Sequence, residues 1–298
     1  MRASSASSPL VTIGVPVYNG ARFLSQALDS LLGQSVSDLE MVISDNASGD
    51  ETEAICRAYA AKDARVRYFR QPANIGAPQN WTFVAKQARG KYFKWASGND
   101  FCATDMVEKC ATVMEDDSGV VLCYGRTCLI DEETGRRDDY ARDIAISEGL
   151  PHERFRTLYR TLALNNAQCG LIRTEALRRT RYDRPYPGGD VVLMAELALQ
   201  GRFVLLPDVL LYRRMGRRTF SSLLTVAEMQ AFIDPREKRG PSFWCLRRHL
   251  GYLGTALRAS ISLPEKLRTL VLVFRHAVWD REKLWGELRD RFVGARHA

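Results

Sequence analysis

Long hydrophobic runs are missing from this sequence. No stretch approaches the roughly 18 consecutive apolar residues that a helix needs to cross a bilayer, and residues 269–274 form one of the longer apolar runs. The first ten residues lack the hydrophobic segment of a secretory signal. We therefore expect a cytoplasmic protein with a disordered tail at residues 1–9, with peripheral contact on the inner face of the membrane as an alternative.

Cysteine and histidine patterns typical of disulfide frameworks and metal sites are also missing. The cysteines are odd in number and never follow a CxxC spacing, so neither a disulfide framework nor a zinc site is predicted, and free thiols in a reducing cytosol are expected. The histidines lie far apart in the sequence, which argues against a histidine-rich metal cluster. The cysteines are Cys56, Cys102, Cys110, Cys123, Cys128, Cys169 and Cys245, and the histidines are His152, His249, His276 and His297.

Positive charge exceeds negative charge in this chain, with a net charge of +8. Nucleic acid, an anionic membrane surface and a phosphorylated substrate would each favour such a balance. The basic residues are concentrated in residues 173–184, in residues 212–218 and after residue 236. No nucleic-acid motif accompanies them, so we do not expect nucleic-acid binding.

The first hundred residues alternate between strand and helix patterns. The strand-like segments are residues 10–18, 38–45, 64–71 and 91–97. The helical segments are residues 19–34 and 53–62, and residues 74–90 are a loop followed by a helix. This alternation predicts an α/β fold with a largely parallel sheet. Ligands bind beyond the carboxyl ends of such strands, where the polar residues Asn19, Asp45, Asn74 and Asp100 are expected.

The pattern changes after residue 100. Residues 105–115 and 152–164 are predicted to be helices, residues 119–130 a strand, residues 131–143 a charged loop or hairpin, and residues 201–214 a strand, turn and second strand. The last eighty residues predict two or three further helices. One of them would carry an apolar face made of Leu267, Leu270, Val271, Phe274 and Val278.

Four phrases in order give the sequence a family resemblance: VTIGVPVYNGARFLSQALDSLLGQS, MVISDNASGDET, RQPANIGAPQNW and KYFKWASGND. Together with later segments up to about residue 218, they resemble the GT-A inverting glycosyltransferases of the family 2 type. The resemblance implies a Rossmann-like domain that binds a nucleotide sugar. Its expected bounds are residues 10–220, divided into a nucleotide-binding half (10–100) and an acceptor half (101–220), with a helical C-terminal region at residues 221–298.

The resemblance implies a nucleotide site at the first strand ends. Pro16, Tyr18 and Asn19 would surround the base and ribose, and Asp45 would accept a hydrogen bond from the base, which suits uridine or thymidine better than guanosine. An alternative is that Asp45 only caps the following helix. Asn74, Gly76 and Asn80 match the loop near the base and phosphates, with a simple Asx turn as the alternative.

A metal site is implied at the segment SGND, where the family carries an Asp-x-Asp or Asp-Asp signature. Ser97 and Asn99 replace two common aspartates, so Asp100 is the one carboxylate, with Asn99 as a second oxygen ligand. We expect weak Mg²⁺ or Mn²⁺ binding, completed by the substrate's phosphates. The alternative is a polar turn.

Two further site features concern the diphosphate and the acceptor. No histidine follows the paired arginines near Met215, so Arg213 and Arg214, or Arg217 and Arg218, would neutralise the diphosphate directly; a solvated basic loop is the alternative. Asp190 matches the family position of the general base that deprotonates the acceptor hydroxyl, although it could only cap a helix.

These features predict an inverting, metal-assisted glycosyltransferase that uses a nucleotide sugar, with UDP as the favoured nucleotide, and extends a glycan or glycolipid in polysaccharide biosynthesis. The alternative is a non-catalytic nucleotide-sugar-binding scaffold with a degenerate metal site. A sugar nucleotidyltransferase is less favoured, because no glycine-rich basic loop follows the first strand. The basic helical C-terminus predicts either contact with an anionic membrane or packing on the domain or on a partner in a homodimer.

Overall fold

The computed structural model describes residues 8–216, 225–236 and 243–294. The strands are β1 Val11–Val17, β2 Leu39–Asp45, β3 Val66–Arg70, β4 Tyr92–Trp95, β5 Phe101–Cys102, β6 Val120–Asp131, β7 Arg137–Asp139, β8 Leu171–Arg173 and β9 Arg202–Met215. The helices are α1 Ala21–Leu32, α2 Thr52–Lys62, α3 Ala77–Lys86, α4 Met106–Asp116, α5 Pro151–Thr161, α6 Thr174–Arg178, α7 Gly189–Gln200, α8 Val226–Ile233, α9 Trp244–Arg258, α10 Leu263–Trp279 and α11 Arg281–Gly294, with a 3₁₀ turn at Asn166–Cys169.

One sheet contains the nine strands, in the order β3-β2-β1-β4-β8-β6-β9-β5, with β7 paired to β6. The pairs β3–β2, β2–β1, β1–β4 and β6–β9 are parallel. Because β8 is antiparallel to both β4 and β6, those two strands also run in the same direction. Most strands are therefore parallel, and the predicted α/β class with a mostly parallel sheet is confirmed.

The sheet is the middle layer between two hydrophobic cores. On one face, Ile13 and Val15 of β1 pack with Leu24 and Leu28 of α1. On the other face, Trp95 of β4 belongs to a core that also contains residues of α3, α5, α7 and α9. Strands β1, β2 and β4 are buried along their whole length, as expected for central strands of a sheet covered on both sides. Because β1, β2 and β4 are parallel, the polar groups at their carboxyl ends share one edge of the sheet.

The predicted strand, turn and strand at residues 201–214 is wrong, because the chain forms the single strand β9. Its pairing with β6 continues past Pro207 and Asp208, which have no partner on β6: Leu206 pairs with Gly125 and Val209 pairs with Arg126. The proline signal therefore marks an irregularity in the strand, a position where a missing N–H is tolerated. The predicted hairpin after β6 is confirmed, since β7 pairs with it antiparallel.

The C-terminal part contains four helices among the described residues, where two or three were predicted. Tyr252 of α9 and Val273 of α10 are buried in the core that contains α7, so these helices pack on the sheet domain. The residues that the structure describes include no helix that is long and apolar enough to span a bilayer. The seven cysteines are free thiols. Residues 1–7 of the predicted tail, Arg217 and Arg218 lie outside the described residues.

Candidate active site

The loops after β1 and β2 are joined to one another by Asn19. Its N–H donates to Oγ of Ser48 over 2.9 Å, and its side-chain Oδ1 accepts from the N–H of Gly49, also over 2.9 Å. Asn19 has a positive φ of 48°, a conformation that asparagine adopts more readily than most residues. Tyr18 beside it is 51% exposed, whereas Pro16 is buried within β1. Tyr18 therefore offers an open aromatic surface at this edge.

Asp45 lies at the end of β2 and is fully buried. Its Oδ1 accepts from the N–H of Ser48 at 2.8 Å, and its Oδ2 accepts from Tyr68 at 3.1 Å and from Arg70 at 2.6 Å. The bond to Ser48 resembles the predicted capping role, although Asp45 precedes the start of α2 by several residues. The carboxylate therefore orders the loop and fixes Arg70 at the sheet edge.

The loop before α3 is held by amide hydrogen bonds. Oδ1 of Asn74 accepts from Asn46 at 2.8 Å and from the N–H of Gly76 at 2.9 Å, which is an Asx turn. Asn80 is 2% exposed, and both ends of its amide are bonded to Ser44, at 2.6 and 2.9 Å. Asn80 thus holds the loop from inside.

Gly76 has no room for a side chain. Its φ is 87° and its ψ is 155°, a region that is essentially restricted to glycine. A Cβ atom would lie 2.0 Å from the carbonyl oxygen of Ile233 in α8. The glycine therefore allows α8 to pack directly on the loop.

The segment after β4 forms a tight polar turn. The N–H of Asp100 donates to the carbonyl of Ser97 at 3.4 Å, and the N–H of Asn99 donates to Oγ of Ser97 at 3.2 Å. Asn99 is exposed, whereas Ser97 and Asp100 are half-buried. Three potential oxygen ligands are thus close together in the chain at the carboxyl edge of the sheet.

Asp100 is the carboxylate of this turn. Its Oδ1 accepts from the backbone N–H of Arg214 at 2.9 Å, and no hydrogen bond joins its Oδ2 to another residue of the described chain. Burial raises the pKa of Asp100 to about 6, although the N–H of Arg214 and the positive charges of Arg213, Arg214 and Lys94 oppose this shift. One carboxylate therefore lies among three cations.

Arg214 is fixed in place at the end of β9. Its guanidinium donates to the carbonyl of Asn99 and to Oε1 of Gln26. It also lies over two aromatic rings, 4.3 Å from the centre of Phe23 and 5.1 Å from that of Phe101. These contacts hold its positive charge beside the polar turn.

Lys94 is a buried cation that sequence analysis did not single out. It lies in the middle of β4, is 1% exposed, and donates from Nζ to the carbonyl of Cys169. A lysine inside the otherwise apolar strand YFKW was the available sequence signal, because an ammonium group is rarely buried without a purpose or a partner.

Asp190 lies in the first turn of α7. The helix follows Gly188, whose φ is 84°, and no side chain of the described residues forms its N-terminal cap. The carboxylate of Asp190 instead accepts from Nδ2 of Asn165 at 2.9 Å through its Oδ2. The side chain of Asp190 therefore does not form the capping hydrogen bond that was the alternative. Its position in the first helical turn still favours its negative charge.

A pair of asparagines joins the two sides of the site. Asn165 binds Asp190, while Oδ1 of Asn166 accepts from Arg213 at 2.6 Å. Arg213 is in turn an electrostatic neighbour of Asp100. Two adjacent residues therefore connect the carboxylate of α7 with the cationic turn after β4, and sequence reasoning had assigned neither of them a role.

Asp183 is a second carboxyl group near Asp190 that sequence reasoning missed. Burial raises the pKa of Asp183 well above its usual range, and the negative charge of Asp190 raises it further. The shift favours the protonated form of Asp183, and it shows that the two carboxyl groups interact electrostatically.

Comparison with known proteins identifies related sequences. The model of the glycosyl transferase family 2 matches residues 12–181, more than half of the chain. An uncharacterized glycosyltransferase of Rickettsia felis is 34% identical over 128 residues, 42% of this chain and 21% of that protein. A chondroitin synthase of Escherichia coli is 32% identical over 126 residues, 42% of this chain and 18% of that protein. The matches thus span about a fifth of these relatives.

Solved structures share the fold over most of the chain. TarS of S. aureus in complex with UDP-GlcNAc has a TM-score of 0.63 at 18% identity, covering 91% of this chain and 74% of that one. GalNAc-T7 with UDP, GalNAc and Mn²⁺ has a TM-score of 0.56 at 14% identity, covering 70% of this chain and 44% of that one. These likenesses confirm the predicted GT-A fold. The match of residues 12–181 to the family model shows that the chain belongs to glycosyl transferase family 2.

Proposed function

We propose that this protein is an inverting glycosyltransferase that moves a sugar from a UDP-sugar to an acceptor hydroxyl. The observation that carries the proposal is the connection from Asp190 through Asn165 and Asn166 to Arg213 beside Asp100. A group suited to accept a proton thus lies across from a cluster suited to hold a diphosphate. Family membership and the UDP-GlcNAc complex of TarS support the same assignment.

The nucleotide in this proposal lies at the carboxyl ends of β1 and β2. Tyr18 and Asn19 contact the base and ribose, since Tyr18 offers the exposed ring. Pro16, Asp45 and Asn80 are buried, so their role is to shape the loops. Asp45 shapes its loop by holding Arg70. The side chain of Arg70 is partly exposed, whereas Asp45 is not.

The remaining loop residues complete the donor site. Asn74 and Gly76 place the backbone of their loop close to the phosphates, and Ser97 contributes its hydroxyl. Arg213 and Arg214 hold the diphosphate. Each guanidinium has five N–H donors, and the hydrogen bonds described above use only some of them. Residues 10–100 then form the nucleotide-binding half, residues 101–220 the acceptor half and residues 221–298 the helical region.

A divalent cation fits the residues of this site, with a limited donor set. Oδ2 of Asp100 has no hydrogen-bond donor among the described residues, and the amide of Asn99 is exposed. Oxygen donors of this kind suit Mg²⁺ or Mn²⁺, and Mn²⁺ accompanies UDP in the GalNAc-T7 structure. Asp100 and Asn99 would hold the ion, which would offset charge on the departing diphosphate.

The reaction itself uses Asp190 as general base. Asp190 takes the proton of the acceptor hydroxyl while the oxygen forms a bond to the anomeric carbon. The bond from that carbon to the diphosphate oxygen breaks on the opposite face, and UDP leaves with the electron pair. A single displacement of this kind inverts the configuration at the carbon. Asn165 is a positioning residue, because it orients the carboxylate that removes the proton.

The donor and the metal can be tested together with purified protein. Thermal shifts are measured with UDP-, dTDP- and GDP-sugars, with and without Mn²⁺, and UDP release is measured with candidate acceptors. We expect the largest shift with a UDP-sugar and Mn²⁺, and the shift with Asp100→Ala should lose its dependence on Mn²⁺. Binding without turnover on any glycan or lipid-linked acceptor would favour the alternative of a non-catalytic scaffold, and unchanged Mn²⁺ dependence in Asp100→Ala would place the metal elsewhere.

A glycan or lipid-linked acceptor is part of the proposal. The relative named chondroitin synthase favours a glycan, and polysaccharide biosynthesis is the matching process. An exposed apolar stripe on α10 favours an acceptor at a membrane, since its five members are each more than half exposed and Arg268 and Arg275 lie exposed on the same helix. The stripe is Leu263, Leu267, Val271, Phe274 and Val278.

Vesicle flotation tests this membrane contact. The protein should float with vesicles that contain anionic lipid and should stay in solution with zwitterionic vesicles. Val271→Glu and Phe274→Glu should abolish flotation without changing the far-ultraviolet circular dichroism. A different result would identify the stripe as a homodimer interface. In that case the protein would not float, its mass in solution would be that of a dimer, and the same two variants would have the mass of a monomer.

A further inference from the structure

Three side chains that could bind a metal come together between α9 and α10, and His276 lies one helical turn before the third. Cys245 and His249 are one helical turn apart on α9, and His276 and Asp280 are one turn apart at the end of α10. Residues with this spacing lie on the same face of a helix, and bundles build metal sites from such facing pairs. One potential ligand atom from each of Cys245, His249 and Asp280 lies within 4.8 Å of the other two.

His249 presents a buried nitrogen that lacks a partner. The residue is 6% exposed, and its Nδ1 lies 2.8 Å from the carbonyl of Cys245, which assigns the ring proton to Nδ1. Among the described residues Nε2 has no hydrogen-bond partner, and it lies 3.6 Å from Oδ2 of Asp280. A buried ring nitrogen therefore points toward a carboxylate oxygen without a hydrogen bond between them, an arrangement that a bound cation would stabilise.

His276 repeats this observation on the other helix. It is 2% exposed, and its ring is stacked on Tyr159 with centroids 3.5 Å apart. Neither ring nitrogen has a hydrogen-bond partner in the part of the chain that the structure describes. Both ring nitrogens are therefore buried polar atoms that a ligand could satisfy.

Asp280 has one carboxylate oxygen without a close donor. Its Oδ1 pairs with Lys283 at 3.0 Å. Around Oδ2, Tyr159 lies at 3.3 Å, Arg248 at 3.4 Å and His249 at 3.6 Å, and all three distances are long for strong hydrogen bonds. Oδ2 is therefore surrounded by polar groups but remains available to a ligand.

We propose that Cys245, His249 and Asp280 bind a structural Zn²⁺ ion, and that His276, which lies outside this group of three, moves in as the fourth ligand. A thiolate, two imidazoles and a carboxylate form a donor set typical of tetrahedral zinc. Zinc bond lengths imply ligand atoms about 3.3 to 3.8 Å apart, which includes the 3.6 Å between His249 and Asp280. The two negative ligands also balance the charge of the ion.

The zinc ion would fasten the helices behind the proposed base. It would join α9 to the junction of α10 and α11, because Asp280 lies between the last two. Arg248 lies next to the cluster on α9. Its Cδ atom would be 3.2 Å from a Cβ atom added to Gly188. Gly188 precedes α7, which carries Asp190. With His276 as its fourth ligand the ion would have no open position, which is characteristic of structural zinc.

The test uses the full-length protein and does not depend on its activity. The metal content of the purified protein is measured by elemental mass spectrometry, and metal-free protein is then titrated with Co²⁺ as a spectroscopic probe for the zinc site. We expect one Co²⁺ per chain with a thiolate-to-cobalt charge-transfer band and the intense visible bands of tetrahedral coordination. We also expect Zn²⁺ to raise the melting temperature.

Variants assign the ligands. Cys245→Ala should lose the charge-transfer band, and His249→Ala and His276→Ala should each weaken Co²⁺ binding at least tenfold. Cys56→Ala is the matched control, since Cys56 is also buried but lies in α2, and it should titrate like the wild type. Wild-type protein without a thiolate band, or a band that persists in Cys245→Ala, would overturn the proposal, and the wild-type titration gives this answer even if a variant does not fold.

Discussion

Asn165 donates a hydrogen bond from its side-chain nitrogen to Oδ2 of Asp190 over 2.9 Å. Oδ1 of Asn165 is buried and has no partner within residues 8–216, 225–236 and 243–294. Asp190 is therefore the main fixed contact of this amide, together with a longer bond to Gln168. The pair joins the turn before β8 to the start of α7. The orientation of the proposed base is thus set by a residue 25 positions earlier in the chain.

Replacement of Asp190 tests the base directly. Asp190→Asn keeps the shape of the side chain but cannot accept the proton, so kcat should fall by about 10²- to 10⁴-fold with nearly unchanged UDP affinity. Steady-state kinetics and calorimetric titration with UDP measure the two quantities. Asp116→Asn, an exposed carboxylate on α4, serves as the control. A decrease smaller than about tenfold would reduce Asp190 to a structural role.

Replacement of Asn165 tests the positioning role. Asn165→Ala should lower kcat by about 10-fold or more, with no change in UDP affinity. In an Asp190→Asn background the same change should have little further effect, because both residues act in one step. Additive effects in this double-mutant cycle would show that Asn165 acts independently of Asp190.

Replacement of Gly76 tests whether α8 packs on the loop that precedes α3. Gly76→Ala should destabilise the protein by about 2–4 kcal/mol, or displace α8, because alanine neither adopts this backbone conformation nor fits against Ile233. Urea unfolding and hydrogen exchange of residues 226–233 measure these outcomes. Gly49→Ala is the control, since nothing lies within 4 Å of its added Cβ, and equal behaviour of the two variants would contradict the packing.

Glu265 links α10 to α5 and gives a prediction about pH. Burial alone would raise the pKa of Glu265, but hydrogen bonds from His152 and Arg268 lower it to about 2. Its contribution to folding stability is therefore present above the usual pKa of 4.5 and is lost as the pH falls toward 2. Glu265→Gln should be less stable by about 1.5–3 kcal/mol at pH 7.

Urea unfolding between pH 7 and pH 3 checks this dependence. The difference between Glu265→Gln and the wild type should narrow below pH 4.5. Glu175→Gln is the control, because Glu175 forms only an exposed ion pair with Arg179 and should change stability by less than about 1 kcal/mol. A constant difference at all pH values would mean that the charge of Glu265 is not responsible.

The sheet and its covering helices were predictable because their signals are local. Residues 11–17 and 39–45 are continuous apolar strands, and the stripe containing Leu24, Leu28 and Leu31 indicates which face of α1 is buried. Periodicity of this kind depends only on near neighbours in the sequence. The prediction failed at Pro207, where pairing with β6 overrode a local turn signal.

The site was predictable in its motif residues, and their roles stay predictions. Asp100 and Asp190 stand in recognisable segments, whereas Lys94, Asn165 and Asp183 have no motif around them. Their importance depends on burial and on partners that are distant in the chain, such as the carbonyl of Cys169 for Lys94. The histidines were expected to lie too far apart for a metal cluster, yet two of them flank Asp280 in the folded chain.

The sequence by itself determined the α/β class, the strand edge that carries the polar residues and the family to which the chain belongs. These depend on periodicity and on short motifs, which are properties of neighbouring residues. The tertiary structure alone decided that Asn165 fixes Asp190 and that Cys245, His249 and Asp280 meet between two helices. Contacts of this kind arise from helix packing and sheet pairing, which bring distant segments together and leave no regular spacing in the sequence.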